Sequence, residues 1–292
     1  MRILTADIGG TNTKLCICDE QGKLHQFQEY ATESRQGGPH VMARLMDKIS
    51  EYEDFDAIAI STAGQVDAEA GFIVFANQNI PDYTGMRVKD MLEERFHKPV
   101  KVENDVNAAA LGEAFFGAAR HLNDFLCLTF GTGIGGAIVI NRQIYRGASG
   151  VAAEFGHIVT HAPADQDEGE SPLFYEKYAS TTALVQMARQ VEPDCANGKI
   201  LFDRIRQGNE QLEQVLHAWV DEVAYGLASI IHIFNPSAVI VGGGVMEQDD
   251  LVRLVEARTK GLVMQSYRGV QILKASLGNK AGVLGAASLF LR

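Results

Sequence analysis

Positive charge is in short supply in this chain of 292 residues. Its 26 lysines and arginines stand against 37 aspartates and glutamates, a formal net charge of -11. An acidic excess of that size argues against nucleic acid or an anionic membrane as a partner. Cysteine is sparse too, at four residues: Cys16, Cys18, Cys127 and Cys195. Cys16 and Cys18 are spaced to share one face of a strand among apolar neighbours, which reads as core filling rather than a disulfide or metal pair. A reducing, cytoplasmic setting fits that usage. Membrane-length apolar runs are missing as well. Residues 125–140 are short and glycine-rich, and residues 223–246 are broken by Asn235, Pro236 and three consecutive glycines. Both read as buried strands with loops attached. The N-terminus has one early arginine but meets Asp7 and two glycines too soon for the apolar region of a secretion signal.

What remains is an ordinary globular composition, 46% hydrophobic and 22% charged, in a chain long enough for two domains. Its organising stretch is 102–113, VENDVNAAALGE. A strand end (Val100, Val102) turns through Glu103, Asn104 and Asp105 into an alanine-rich helix. Asn and Asp at such a junction are good N-caps, because they accept from unpaired backbone N–H groups. A second reading follows from two glycine-threonine loops that flank the stretch, DIGGTNTK at 7–14 and TFGTGIGGA at 129–137. A carboxylate at a strand end, in a chain with two phosphate-type loops, can take a proton from a substrate hydroxyl as phosphate arrives.

Each loop joins a short apolar strand to another, so strand–Gly/Thr loop–strand recurs at the start of each half and suggests an internal duplication. Glycines let backbone approach a ligand, and successive N–H groups can converge on an anion; two ordinary hairpins would use the same residues. Residues 39–52 have helical spacing (Val41, Leu45, Met46, Ile49) and 57–60 is a buried strand. STAGQVD at 61–67 follows at that strand's end, where open α/β sheets bind ligands. The polar loop 77–84 carries Asn79, and 88–96 is a helix. Strands followed by helices in this rhythm indicate βαβ units and a largely parallel core. In GASGVAAEFGH at 147–157, Glu154 and His157 share a face if the segment is a helical turn, although Gly156 makes a looped form equally compatible. Residues 161–172 are an acidic surface loop. Helices follow at 182–190, 200–208 and 211–233, the last holding the only tryptophan, Trp219. A strand at 238–241 ends in Gly242, Gly243 and Gly244, where a flat ring can lie against backbone or the chain simply turns. Residues 280–291 form a last helix that can cross between the halves.

DIGGTNTK, STAGQVD, VENDVNAAALGE, TFGTGIGGA, GVAAEFGH and VIVGGGV, in this order, resemble the ROK (repressor, open reading frame, kinase) family of sugar kinases over essentially the whole chain. The resemblance implies an α/β, two-lobed actin-like ATPase (ribonuclease H-like) fold of duplicated βββαβα units. The lobes would be 1–118 and 119–292, with the final helix (about 280–292) crossing back. It implies an ATP-dependent hexose kinase acting on the 6-OH of glucose or a glucoside, with N-acetylmannosamine or a β-glucoside as alternative acceptors and a catalytically silent sugar sensor as the rival of another class. Asp7 would help hold Mg²⁺-ATP, with Gly9, Gly10, Thr11 and Lys14 near the phosphates. Thr132, Gly133 and Gly135 would form the second phosphate loop, and Gly243 and Gly244 would sit by the adenosine. Asp105 would be the general base. Asn104, Glu154, His157 and Glu176 would bind sugar hydroxyls, with Gly64 and Asn79 on the other side. A homodimer is the expected assembly.

Two departures from the family's pattern matter. Many members follow the GH dipeptide with a CxCGxxGC zinc element, whereas residues 158–175 hold no cysteine, so no zinc is expected and the loop 162–171 must be held by its own contacts or move. Repressor members carry a helix-turn-helix before the first glycine loop, and this sequence begins directly at that strand, which favours a kinase over a transcription factor.

Overall fold

In the computed structural model, which describes residues 1–162 and 173–291, the chain divides into two compact units. The first comprises Met1–His121, Arg142–Ala152 and Ser276–Arg292; the second comprises Leu122–Asn141 and Ala153–Ala275. The segment Arg142–Ala152 thus groups with the N-terminal residues, which a simple split at 118 does not provide for.

In chain order the strands and helices open with β1 (Ile3–Ile8), β2 (Asn12–Cys18), β3 (Leu24–Ala31), α1 (Gly38–Ile49), β4 (Ala57–Thr62), β5 (Gln65–Asp67) and β6 (Phe72–Phe75). They continue with α2 (Val88–Phe96), β7 (Val100–Asn104), α3 (Asp105–Phe116), β8 (Phe125–Phe130), β9 (Ile134–Ile140) and β10 (Gln143–Ile144). Then come α4 (Tyr175–Ala179), α5 (Thr181–Val191), α6 (Gly198–Arg206), α7 (Glu210–Phe234), β11 (Ala238–Gly242), α8 (Asp249–Leu262), β12 (Gln271–Lys274) and α9 (Ala281–Ser288). The sequence reading had no counterpart for α8 or β12, although the buried Leu251, Val252, Val255 and Thr259 of α8 keep helical spacing.

The first unit is built on the sheet β3-β2-β1-β4-β7. β1 runs antiparallel to β2 and parallel to β4, and β4 runs parallel to β7. Every residue of β4 is buried, as a central parallel strand covered on both faces requires. Val41, Met42, Leu45 and Ile49 of α1 pack on Leu4, Ile8, Ile58 and Ile60. Cys18 lies with Ile3 and Ala59 against Leu284, Ala286 and Ala287 of α9. All four cysteines are buried and none is in a disulfide. Burial pushes the Cys16 thiol up to about 11 and the Cys18 thiol up to about 12, which leaves both inert as nucleophiles. Among the described residues no helix is long and apolar enough to cross a membrane.

The second unit repeats the central pattern. β8 is antiparallel to β9 and parallel to β11, which is parallel to β12. The 25-residue α7 is capped by the Asn209 side chain on Leu212 N–H and stops at Asn235 in the left-handed region, followed by Pro236. Trp219, fully buried on α7, meets Phe130 edge-on at 6.4 Å and donates from Nε1 to Ser180 O at 3.0 Å. Tyr175 OH donates to Val223 O at 2.7 Å, fixing α4 on α7.

α9 is short, yet it settles against the first sheet because its glycines let backbone meet backbone. A Cβ on Gly285 would overlap the carbonyl of Ala108 in α3. Gly285→Ala is therefore expected to lower the unfolding free energy by about 1–3 kcal/mol in urea denaturation. Gly261→Ala in α8, where a Cβ meets open space, should be neutral or slightly stabilising. Equal midpoints for Gly285→Ala and wild type would show that the helices are not in backbone contact.

Candidate active site

Asn104 ends β7 in extended conformation and caps α3. Its Oδ1 accepts from Val106 N–H at 3.0 Å and Asn107 N–H at 3.1 Å. Its Nδ2 donates to Gly64 O and to Asp105 Oδ1, each at 2.9 Å. Asp105 Oδ1 also accepts from Val106 N–H at 2.9 Å, so Oδ2 takes part in neither bond. The helix-cap reading and the candidate-base reading thus fall on different residues: Asn104 caps, and Asp105 is presented.

Because β1, β4 and β7 are adjacent and parallel, Asp7 is paired with Ser61 and Thr62 with Asn104 in register. Ser61 Oγ donates to Asp7 Oδ1 at 2.7 Å and Lys14 Nζ lies 3.3 Å from Asp7 Oδ2. Among the described residues no cation pairs with Asp105, the neighbouring carboxylate. Burial, and then the Asp7 charge, push it up to about 6 against the opposing pull of the Val106 and Asn104 donors. Gly9, Gly10 and Thr11 form the tip of the β1–β2 turn, closed by Gly9 N–H on Asn12 O at 3.1 Å. Thr32 braces this tip, donating from Oγ1 to Gly9 O at 2.7 Å and from N–H to Thr11 O at 2.8 Å. Gly64 O holds the Asn104 amide, while Asn79 lies exposed on the loop after β6. Sequence reasoning missed Ser61 and Thr32, since neither hydroxyl is near its partner in sequence.

In the second unit the β8–β9 turn is closed by Gly131 N–H on Gly133 O at 2.9 Å. Glu176 Oε2 accepts from Ile134 N–H at 3.2 Å, and a Cβ on Gly133 would overlap that carboxylate. Glu154 precedes, and His157 ends, a short 3₁₀ turn, Phe155–His157, so the two do not lie in an α-helix. Their side chains are about half exposed, with His157 Nδ1 3.9 Å from Glu154 Oε2 and the imidazole tilted against Phe174 at 5.0 Å. A Cβ on Gly156 would lie 3.0 Å from Glu176 Oε2, so the Glu154–His157 turn and Glu176 meet at the Gly133–Ile134 backbone. Among the described residues no group of three or more His, Cys, Asp or Glu could hold a metal ion. Residues 163–171 of the loop at 162–171 lie outside the described residues.

Beside this turn is a cavity of about 640 Å³ lined by Thr132, Thr181, Thr182, Asn197, Lys199, Phe202 and Gly244, among others. Thr132 and Gly244 share it; Gly133, Gly135 and Gly243 are not among its lining residues. Gly243 instead backs onto the Phe130 carbonyl with φ 103°. The cavity's α5 and α6 wall read in sequence only as helical periodicity, with no turn or motif to mark it.

Two sheets of one order, each opening on a hairpin with a glycine-threonine turn, define the actin-like ATPase fold. The chain belongs to the ROK family, whose model matches residues 3–292. It is 32% identical to the glucokinase of Thermotoga maritima, over 99% of this chain and 97% of that protein. It is 30% identical to the β-glucoside kinase of Klebsiella pneumoniae, over 99% and 96%. Among solved structures it is similar to a ROK family glucokinase from Streptomyces griseus in complex with glucose and AMPPNP, at 34% identity and a TM-score of 0.84, covering 99% of each chain.

The raised Asp105 carboxyl has a consequence for stability. Its folded-state value, about 6, lies above the ordinary carboxylate range, so the folded chain holds this proton more tightly than the unfolded one. The resulting cost is absent below about pH 4 and fully developed above about pH 6. Asp105→Asn should therefore raise the unfolding free energy by about 1–3 kcal/mol at pH 8, with the gain vanishing near pH 4. A pH-independent difference between the two proteins would contradict an elevated Asp105.

Proposed function

We propose that this chain is an ATP-dependent sugar kinase that transfers a γ-phosphoryl group to a hexose hydroxyl, with the 6-OH of glucose or a glucoside as first choice. The observation that carries the reading is Asp105: a carboxylate oriented by Asn104, beside Asp7, with burial tuning it to about 6. Such a group is largely ionised at neutral pH yet basic enough to accept the hydroxyl proton as the oxygen attacks phosphorus, help worth about two to four orders of magnitude. Membership of a family with glucokinases and β-glucoside kinases among its members supports the same chemistry.

The donor set fits Mg²⁺-ATP. Mg²⁺ is usually held through one or two carboxylates together with substrate phosphates, and Asp7 is a carboxylate already oriented by Ser61 and Lys14. When bound, Mg²⁺-ATP supplies the phosphoryl group and neutralises its charge. Gly9, Gly10, Thr11 and Lys14 are proposed as phosphate-binding residues of the first unit, and Thr132, Gly133 and Gly135 as phosphate-binding residues of the second. The adenosine is proposed for the cavity at Gly244, beside Gly243. Gly64, Asn79, Asn104, Glu154, His157 and Glu176 are the proposed sugar set, in which Asn104 must share a hydrogen bond it already makes. A homodimer in the cytoplasm is the proposed state.

A panel of hexoses, glycosides and N-acetyl sugars assayed for ADP release tests this directly. Sugar-dependent turnover is expected, with glucose or a glucoside favoured and N-acetylmannosamine the next acceptor to try; binding without turnover would indicate a sensor. Asp105→Asn should lose about two to four orders of magnitude in kcat with ATP binding nearly unchanged. More than about a tenth of the wild-type kcat would reduce Asp105 to the first residue of a helix.

The cysteine-free segment 158–175 supports a site that works without structural zinc, because that metal normally takes four N or S ligands. Purified protein should contain no stoichiometric zinc, and a zinc-selective chelator should leave fold and turnover intact, whereas removing Mg²⁺ should abolish turnover. One tightly held zinc per chain would overturn this.

A further inference from the structure

Two residues before the proposed base, Glu103 is fully buried, and the base reading gives it no role. Its Oε1 accepts from Asn104 N–H at 3.0 Å and from Asn107 Nδ2 at 3.1 Å. Arg146 closes on the same carboxylate with both arms of its guanidinium, Nη1 to Oε1 at 3.1 Å and Nη2 to Oε2 at 2.5 Å. A two-armed contact of this kind fixes the carboxylate in angle as well as position. Glu103 passes that constraint on through two residues on either side of the base, gripping the backbone of Asn104 and the side chain of Asn107. Asn104, held at its own N–H, aims its amide at Asp105 Oδ1. Arg146, Glu103, Asn104 and Asp105 therefore form one continuous line of contacts that ends on Asp105 Oδ1.

Arg146 belongs to Arg142–Ala152, which groups with the first unit although the residues on either side of it belong to the second. Its side chain is 36% exposed, against 0% for Glu103. An ion pair whose carboxylate is fully buried is a poor way to stabilise a fold, because the desolvation of that charge offsets much of the attraction. Its value lies in orientation. We propose that Arg146 is a positioning residue for the reaction: acting through Glu103, it holds the Asn104–Asp105 turn so that the Asp105 carboxylate keeps the orientation the proton transfer needs. This rests on the kinase reading above.

The test uses the full chain. Arg146→Met keeps the length of the side chain and removes the fork, and Arg146→Lys keeps only the charge. In folded Arg146→Met, kcat should fall by about 10–100-fold while the KM for ATP stays within about threefold, and Arg146→Lys should recover part of the loss. Guanidinium ion added to Arg146→Ala should raise kcat several-fold, because the vacated site opens to solvent. Amide hydrogen exchange should lose protection at Asn104, Val106 and Asn107 and not across the sheet. A wild-type kcat in folded Arg146→Met, or a loss of protection spread evenly over the unit, would overturn the proposal by making the pair a general brace. If the wild-type chain shows no sugar-dependent ADP release, the kinase reading fails instead. Exchange at those three amides would then still report whether Arg146 holds the turn.

Discussion

The side-chain amide of Asn104 takes two backbone N–H groups of α3 on its oxygen and sends its hydrogens to Gly64 O and Asp105 Oδ1. Without the first pair the helix loses its cap, and without the second Asp105 has no fixed direction. The carbonyl of Gly64 comes from the loop after β4, so one planar group ties two neighbouring strand ends to the start of a helix. A helix start is where an unpaired N–H would otherwise face solvent. The same local need that makes a cap favourable also places a carboxylate at the mouth of the sheet.

Charge compensation at that mouth is unequal, and the inequality sets the chemistry. Three carboxylates gather there. Asp7 has Lys14 and Ser61, and Glu103 has Arg146 with two further donors. Among the described residues Asp105 receives only neutral donors, and it feels the Asp7 charge. A proton therefore binds to Asp105 more readily than to an ordinary aspartate, as a base working near neutral pH requires. Exchanging the cations among the three would leave the net charge unchanged and remove the property on which the proposed base role of Asp105 rests.

The frame beneath these groups is fixed by small residues. α3 and α9 meet backbone to backbone through Gly112 and Gly285. Glu113 of α3 accepts from Ser276 N–H, Ser276 Oγ and Leu277 N–H at 2.8–2.9 Å, just ahead of α9. The helix that carries Asp105 at its first position is thereby gripped along its length. In the second unit Trp219 and Tyr175 do the equivalent work, pinning Ser180 and α4 so that Glu176 meets the β8–β9 turn.

Much of this was written locally. Alternating or continuous apolar residues marked β1, β4 and β8, helical spacing marked α1, α2 and α7, and the glycine-threonine turns and the END sequence marked the strand ends that carry Asp7, Thr132 and Asp105. Those signals are legible because periodicity, turn chemistry and caps act within a few residues. The short β12 (Gln271–Lys274) carries too few residues for a period, whereas α8 has helical spacing in its buried Leu251, Val252, Val255 and Thr259. The partners that give the site its properties were not legible. Ser61 lies 54 residues from Asp7, Arg146 lies 43 from Glu103, and Gly64 lies 40 from Asn104. The sequence by itself determined which carboxylate stands at the head of α3. Only the tertiary structure decided which of these groups would meet distant partners, because that depends on the fold bringing Ser61 to Asp7 and Arg146 to Glu103, and no local pattern encodes such a contact.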